Sequence, residues 1–430
     1  MTKLNIKKIW LIIYTFLAIF EPPILPVPLI YILGALTVCL ILLKYKTKIP
    51  LIIVTKSGIS RFVKIFIVLF CYLIIINIFN ITLVESKNLI ENRLRCINQL
   101  IILTFIQFLQ VWYILILSEN LNHKLKDIFK IITISGVLQG ISALFAYNFP
   151  GVRALFIKYS DKVLFNNPYF FERRGFGFSM TLIDTFGYGM GLIGGYILLQ
   201  NWKEDKLLKL ISLFLVIFSI FVNARTGIII LGIAIFIKLM QSKNKLRLFM
   251  KIVIFMPVIY SIIYKIFPFL LELGNRSKNI TVKWVFTALE EAYNILLKKQ
   301  NSNASFTSAT FFDNFGNLPT NVFEYIFGSG HSIYDTKHTL GFRTDVGYIN
   351  LWWEFGLVGL ICIVIIILVW MIKALKMSKD IYIKSIVLFN IFSYFLVLFK
   401  AILIGYNPGI FINYLVIFSI YYYNNKTKLE

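Results

Sequence analysis

The sequence predicts an all-α membrane protein, a polytopic helix bundle of about 12 transmembrane helices that forms a single domain over residues 1–430. Two observations predict this class. Hydrophobic residues make up 58% of the chain and charged residues only 15%, whereas a soluble domain is nearer to half apolar and a quarter charged. The apolar residues also fall in long blocks separated by short lysine-rich connectors, as membrane-spanning helices do.

Each predicted span is an apolar block that approaches the roughly 20 residues a helix needs to cross the hydrocarbon core. The first block follows Lys3, Lys7 and Lys8, as in a signal peptide. It is counted as a span because Glu21-Pro22-Pro23 is not a small-residue cleavage site and a second apolar block follows at once. The predicted spans are Ile9 to Phe20, Leu29 to Leu43, Phe62 to Val84, Ile97 to Leu117, Ile128 to Tyr147, Thr181 to Gln200, Leu207 to Val222, Thr226 to Ile237, Ile252 to Leu271, Val346 to Ile372, Ser385 to Phe399 and Ile410 to Tyr423.

The distribution of basic residues predicts the orientation of the bundle. The formal net charge is +24, and most of the 44 lysines and arginines lie near the termini or in alternate connectors, as between Lys44 and Lys64. By the positive-inside rule both termini are cytoplasmic. Membrane topology therefore explains the charge, and we expect no nucleic-acid partner.

Two long connectors are then external. They cover residues 148–180 and residues 272–345, and the larger one precedes the tenth span. Loops of this length are usually functional or disordered. Residues 280–299 place their apolar side chains on one stripe, which predicts an amphipathic helix at the outer membrane interface or capping the bundle.

A glycine pattern in the sixth span predicts close helix packing. Gly189 to Gly194 satisfies GxGxxG, but no strand precedes it and it lies inside an apolar block, so the context of a dinucleotide site is missing. Gly187, Gly191 and Gly195 also repeat at a spacing of four residues, which brings small residues to one helix face.

Three of the arginines in the predicted outer segments oppose the positive-inside preference close to the start of a span. Arg173 and Arg174 precede the sixth span, and Arg225 lies in the short turn Asn223 to Gly227. Two interpretations stay open for each arginine. One is contact with lipid headgroups at the interface, and the other is recognition of a pyrophosphate by the paired donors of a guanidinium group.

The end of the large external loop has the densest group of polar residues. His331 follows Phe327-Gly328-Ser329-Gly330, and Arg343 and Asp345 lead into the tenth span. These residues form a candidate acid–base and anion site. The alternative is a loop that re-enters the membrane with polar helix caps, in which Asp345 caps the next helix. Glu354 lies within the tenth block, where a charge is typical of a cavity-facing residue.

Several reaction classes lack support in the sequence. The chain contains no DxD, HExxH, P-loop or GxSxG pattern, and its four cysteines show no CxxC spacing. Metal-dependent transfer from nucleotide sugars, zinc proteolysis, ATP hydrolysis and lipase chemistry are therefore not indicated. We expect neither a cofactor nor a metal.

In these features the chain resembles the O-antigen polymerase family (Wzy), with the related O-antigen ligases close behind. The resemblance covers nearly the whole chain: the spans, the large late loop, Arg174-Gly175, the Asn-Ala-Arg-Thr-Gly turn at Arg225, and the Gly-Ser-Gly-His run. Thr344 to Tyr348 and Glu354 to Gly359 complete it. Ligases tend to carry a His-Asn pair where this chain has Thr344-Asp345, which favours a polymerase.

The resemblance implies a metal-independent glycosyltransferase on the outer face of the cytoplasmic (inner) membrane. It would transfer a growing polysaccharide from undecaprenyl pyrophosphate onto a second lipid-linked repeat unit. A chain-length regulator is an open partner beside the lipid-linked oligosaccharide and membrane lipid. His331 or Asp345 would be the base, and Arg225 would serve both catalysis and binding. The arginines assigned to the diphosphates are Arg173, Arg174, Arg225, Arg276 and Arg343.

Two other functions stay open. An O-antigen ligase would share the donor and the arginines and differ in its acceptor. A flippase or secondary transporter would suit the number of spans, but transporters commonly contain repeated halves and broken helices near the midplane. The sequence shows no internal repeat and contains a long polar outer loop that transport leaves unexplained.

Overall fold

The computed structural model of the chain describes most of the predicted spans and part of the connectors. It describes residues 6–45, 51–80, 93–94, 97–98, 103–157, 177–179, 184–200, 205–224, 226–241, 269, 272, 276, 317–330, 346–399 and 407–426. Every regular element within these ranges is a helix, so the predicted all-α class is confirmed for the part of the chain that is described.

The helices follow the apolar blocks of the sequence. The ninth predicted span lies outside the described residues except for Phe269, and so does the amphipathic helix predicted over residues 280–299. The helices are α1 (Ile6–Phe20), α2 (Leu29–Tyr45), α3 (Leu51–Ser57), α4 (Ile59–Asn80), α5 (Leu103–Asn120), α6 (Leu125–Asn148), α7 (Pro150–Ile157), α8 (Asp184–Leu199), α9 (Lys206–Asn223), α10 (Thr226–Met240), α11 (Val322–Phe327), α12 (Gly347–Met377), α13 (Ile381–Leu398) and α14 (Pro408–Lys426).

Within the described residues, five helices are long and apolar enough to cross a membrane, namely α4, α6, α9, α12 and α13. Helices α2, α8 and α10 are apolar but shorter. Large apolar side chains on the outside of the bundle, such as Val68, Leu207 and Phe236, are exposed and suited to contact with lipid. The chain is thus a helical, multi-pass membrane protein, and the number of 12 spans and the cytoplasmic termini stay predictions.

Helix α8 lies at the centre of the bundle, packed against α6, α9, α10, α13 and α14. A Cβ atom added to Gly191 would lie 2.8 Å from Cβ of Ile230, and one added to Gly195 would lie 2.2 Å from Cζ of Phe389. These neighbours can approach only because both residues are glycine. The expected close packing through glycines is confirmed.

One end of the bundle, here called the basic end, holds the C-termini of α5 and α14 and the N-termini of α6 and α13. Lys426 Nζ lies 2.7 Å from Glu119 Oε1, and Lys126 Nζ lies 2.8 Å from Asp380 Oδ2. The hydrogen bond from Lys126 lowers the pKa of Asp380, which also caps α13 by accepting from the amide of Tyr382 at 2.8 Å. These contacts join helices that are distant in sequence.

Two lysines at the basic end donate hydrogen bonds to carbonyls at the C-terminus of α8. Lys209 Nζ of α9 donates to the carbonyl of Gln200 at 3.0 Å, and Lys238 Nζ of α10 donates to the carbonyl of Leu199 at 3.0 Å. The last carbonyls of a helix have no intrahelical donor, and cations interact favourably with the negative end of its dipole. The positive-inside rule predicts that this end faces the cytoplasm.

Candidate functional site

The opposite end of the bundle contains the described part of the predicted site. We call it the GSG end, after Gly328-Ser329-Gly330 at the end of the large loop. Two stretches that the sequence analysis selected separately meet here. One is this Gly-Ser-Gly run, which follows α11, and the other is Glu354 to Gly359 within α12.

Helix α12 is broken at Gly356, where φ is 66° and ψ is 180°. Only glycine adopts this conformation readily. A break at this position interrupts the hydrogen bonds that the carbonyls of Trp353 and Glu354 accept in a regular helix. Instead the amide of Ser329 donates to the carbonyl of Trp353 at 2.7 Å, and the amide of Gly330 donates to that of Glu354 at 3.1 Å. Glu354 is buried, and its backbone carbonyl is part of this junction.

The junction depends on a close approach of two glycines. A Cβ atom on Gly328 would lie 2.5 Å from the amide nitrogen of Gly356, and one on Gly356 would lie 2.4 Å from that of Gly328. The hydroxyl of Tyr72 in α4 lies 3.1 Å from the carbonyl oxygen of Phe327 and 3.0 Å from that of Phe355. Tyr72 therefore links α4 both to the end of the large loop and to α12.

Arg93 is a buried cation that the sequence analysis did not select. Its side chain is 6% exposed, and its guanidinium donates to Oδ1 of Asn77 at 3.0 Å and to the carbonyl of Ser329. Burial raises the pKa of Glu324 in α11, and the charge of Arg93 opposes that rise. The available signal was an arginine in a predicted outer connector, which is also what selected Arg225.

Glu21 is a buried carboxyl at the same end of the bundle. It is 3% exposed, and its Oε1 atom has no hydrogen-bond partner in the part of the chain that is described. Burial raises its pKa well above the ordinary value of a glutamate. The preceding ring of Phe20 lies 6.4 Å from that of Phe186, which places Glu21 near the start of α8. In the sequence, Glu21 belongs to a Glu-Pro-Pro segment that indicates only the absence of a small-residue cleavage site.

The turn that carries Arg225 is held against α8. Helix α9 ends at Asn223 and α10 begins at Thr226, so the predicted tight turn is confirmed. A Cβ atom on Gly187 would lie 2.9 Å from Cβ of Ala224 and 2.6 Å from Oγ1 of Thr226. Arg225 itself lies outside the described residues, but both of its neighbours pack against α8.

Arg153, in the first predicted outer loop, has a structural role. Its Nε atom donates to the carbonyl of Ala146 and its guanidinium also donates to that of Tyr147, both at 3.0 Å. These are the last carbonyls of α6, and burial lowers the pKa of the arginine. An arginine on this side of the bundle therefore need not bind a ligand.

Among the predicted site residues, the described part of the chain includes Arg276. Its side chain is 76% exposed and lies 2.5 Å from Glu272 Oε1, one helical turn away. This contact has the form of a surface ion pair, and a role for Arg276 in binding diphosphate stays a prediction. The other predicted site residues lie outside the described residues: Arg173, Arg174, Arg225, His331, Arg343 and Asp345.

Comparison of the chain with family models, with curated proteins and with solved structures finds no match. A functional proposal therefore depends on the arrangement at the GSG end. Here the described structure joins the buried guanidinium of Arg93 to the end of the large loop and to the helix break, and the buried carboxyl of Glu21 lies at the same end of the bundle.

Proposed function

We propose that the chain is a polysaccharide polymerase that transfers a growing chain from undecaprenyl pyrophosphate onto a lipid-linked repeat unit at the GSG end. In this proposal the protein lies in the cytoplasmic membrane with the GSG end outward. The observation that supports it is the junction of Gly328-Ser329-Gly330 with the break at Gly356, beside buried Arg93. Both stretches of this junction contribute to the resemblance to the O-antigen polymerases.

The proposed reaction exchanges one bond at the anomeric carbon of the donor sugar. The hydroxyl oxygen of the acceptor sugar forms a new bond to this carbon, while the bond to the diphosphate oxygen breaks and its electron pair stays with the diphosphate. The hydroxyl proton passes to a base, His331 or Asp345. The reaction needs that base and positive charge near the departing diphosphate.

In this mechanism the arginines have two kinds of role. Arg173, Arg174, Arg225 and Arg343 supply paired donors to the diphosphates. Arg93 is a positioning residue, because it binds the carbonyl of Ser329 two positions before His331. A buried guanidinium in this place sets the position of the residues that follow and adds positive charge where the environment screens it weakly.

The test uses the purified full-length protein in liposomes with a lipid-linked repeat unit from its own host and without nucleotide sugar. A ladder of products on a gel would support polymerisation. Transfer of a preformed polymer to a different lipid acceptor would indicate a ligase instead. Movement of labelled lipid-linked sugar across the bilayer without a ladder would indicate a transporter.

Substitutions then test the assigned roles. Arg225→Ala is expected to reduce the rate by about 10² to 10³-fold, as loss of an oxyanion-hole donor does. Lys206→Ala is the matched control, because Lys206 is an exposed cation at the start of α9, the helix that leads into the turn with Arg225. An Arg225→Ala variant that keeps the wild-type rate and product length would remove Arg225 from the mechanism.

A further inference from the structure

A cleft with a volume of about 570 Å³ opens at the basic end of the bundle, between the α3–α4 corner, α12 and α14. Three cationic side chains line it, those of Lys56, Arg61 and Lys373. Trp370 and Tyr421 form its apolar floor and are almost fully buried. The cleft lies toward the opposite ends of α4 and α12 from the junction at the GSG end.

The shape of the cleft depends on Gly58, the residue between α3 and α4. Its φ is +77°, and a Cβ atom at this position would lie 2.8 Å from Cζ3 of Trp370. The rings of Trp370 and Tyr421 are 4.9 Å apart, and Nζ of Lys373 lies 5.7 Å from the centroid of Tyr421. The glycine thus lets the corner of α3 and α4 approach the aromatic floor while the cations stay at the rim.

The cations of this cleft differ from the other cations of the basic end. Neither Arg61 nor Lys373 forms an ion pair with a carboxylate in the described part of the chain. Glu119 interacts electrostatically with Lys56, but it is held by Lys426 at 2.7 Å. By contrast, Lys126 and Lys130 pair with aspartates, and Lys209 and Lys238 donate to the carbonyls that end α8.

Exposed apolar residues lie in α3 and α12, the helices that form two walls of the cleft. Leu51 and Ile52, in the first turn of α3, are 62% and 61% exposed, and Ile372 beside Lys373 is 42% exposed. A ligand that combines a phosphate with hydrocarbon would satisfy both the cations and these side chains. Basic pockets between membrane helices are known to suit anionic headgroups, and a guanidinium binds phosphate through paired donors.

We propose that this cleft binds the phosphate group of an anionic phospholipid, with Arg61 and Lys373 as its principal contacts and the acyl chains along α3 and α12. The site does not depend on the proposed polymerase activity. A free phosphate ion shares the same chemistry, so the test must distinguish the two sources.

The test measures binding of phosphatidylglycerol to the purified full-length protein, with phosphatidylcholine as the neutral comparison. The double variant Arg61→Gln/Lys373→Gln removes two cations from the cleft. Lys126→Gln/Lys130→Gln is its matched control, because it removes two cations from the same end that are 61% and 60% exposed and pair with aspartates.

We expect phosphatidylglycerol to bind the cleft variant about 10- to 30-fold more weakly than wild type, and the control variant to bind as wild type does. Gly58→Ala, which should push the α3–α4 corner away from Trp370 without changing charge, should also weaken binding. Equal affinity in the wild type and the cleft variant would overturn the proposal. So would inorganic phosphate alone displacing the lipid fully at comparable concentration, since the site would then take the free ion.

Discussion

Replacing Gly356 by alanine tests the junction at the GSG end. The φ of 66° with ψ of 180° is a conformation that costs a residue with a side chain about 1 to 3 kcal/mol. The added Cβ atom would also lie 2.4 Å from the backbone nitrogen of Gly328, so the two segments must separate. Separation breaks the hydrogen bonds from Ser329 and Gly330 to α12, each worth about 1 kcal/mol net. Release of the contact therefore costs about 2 kcal/mol, and the backbone strain arises only if the break persists.

The substitution should weaken the contact between residues 328–330 and α12 and leave the rest of the bundle largely unchanged. Alanine allows α12 to continue as a regular helix, in which the carbonyls of Trp353 and Glu354 regain donors from their own helix. Residues 328–330 then lose their partners. We therefore expect faster amide exchange at Ser329 and Gly330, with a smaller change in α8 at the centre of the bundle.

Hydrogen exchange followed by mass spectrometry measures this effect directly. The matched control is Gly232→Ala in α10, where an added Cβ atom meets no atom within 4 Å. That substitution should be neutral or stabilising by up to about 1 kcal/mol, because alanine is the better helix former. Unchanged protection of Ser329 and Gly330 in Gly356→Ala would refute the argument that the break depends on glycine.

Three further substitutions test other contacts. Asp380→Asn removes the ion pair with Lys126 but keeps a helix cap, so the free energy of unfolding in denaturant should fall by less than about 1 kcal/mol. Asp380→Ala also removes the cap, so it should lower the free energy of unfolding by about 1 kcal/mol more. Because folding lowers the pKa of Asp380, its contribution is present above the ordinary pKa and should vanish as the pH falls through the lowered value. Gly195→Ala places a Cβ atom 2.2 Å from Phe389 and should lower the melting temperature, by the equivalent of about 1 to 3 kcal/mol. Arg93→Met should increase hydrogen exchange at residues 328–330, and Arg93→Lys should restore part of the protection; equal exchange in both variants would contradict a role for the positive charge.

The helices were largely predictable because a membrane span must be long and apolar. The glycines of α8 were predictable for a related reason, since small residues at a four-residue spacing have few uses other than close packing. The residues at which the helices end were less predictable. Helix α12 continues from the predicted end at Ile372 to Met377, because Lys373 and Lys376 can extend their charged groups while their stems stay apolar.

The site was predictable only in pieces. Gly328-Ser329-Gly330 and Glu354-Phe355-Gly356 were selected separately, but their contact depends on how the large loop returns to α12, which no local pattern specifies. Arg93 and Glu21 were missed because a charged residue in a connector is usually solvated. Their burial arises from helices that are distant in sequence. Helix α3 was missed for a similar reason, because it lies in a connector rich in lysine.

Lys209 and Lys238, which donate to carbonyls at the C-terminus of α8, affect the order in which the chain can assemble as it is synthesised. Helix α8 leaves the ribosome before α9 and α10, and the carbonyl of Leu199 receives its donor from Lys238, 39 residues later. Until α10 is inserted, this end of the central helix keeps an unsatisfied acceptor near the membrane. A nascent chain that stops within α9 should therefore hold α8 less firmly than one that includes α10, so α8, α9 and α10 form one cooperative unit of biogenesis.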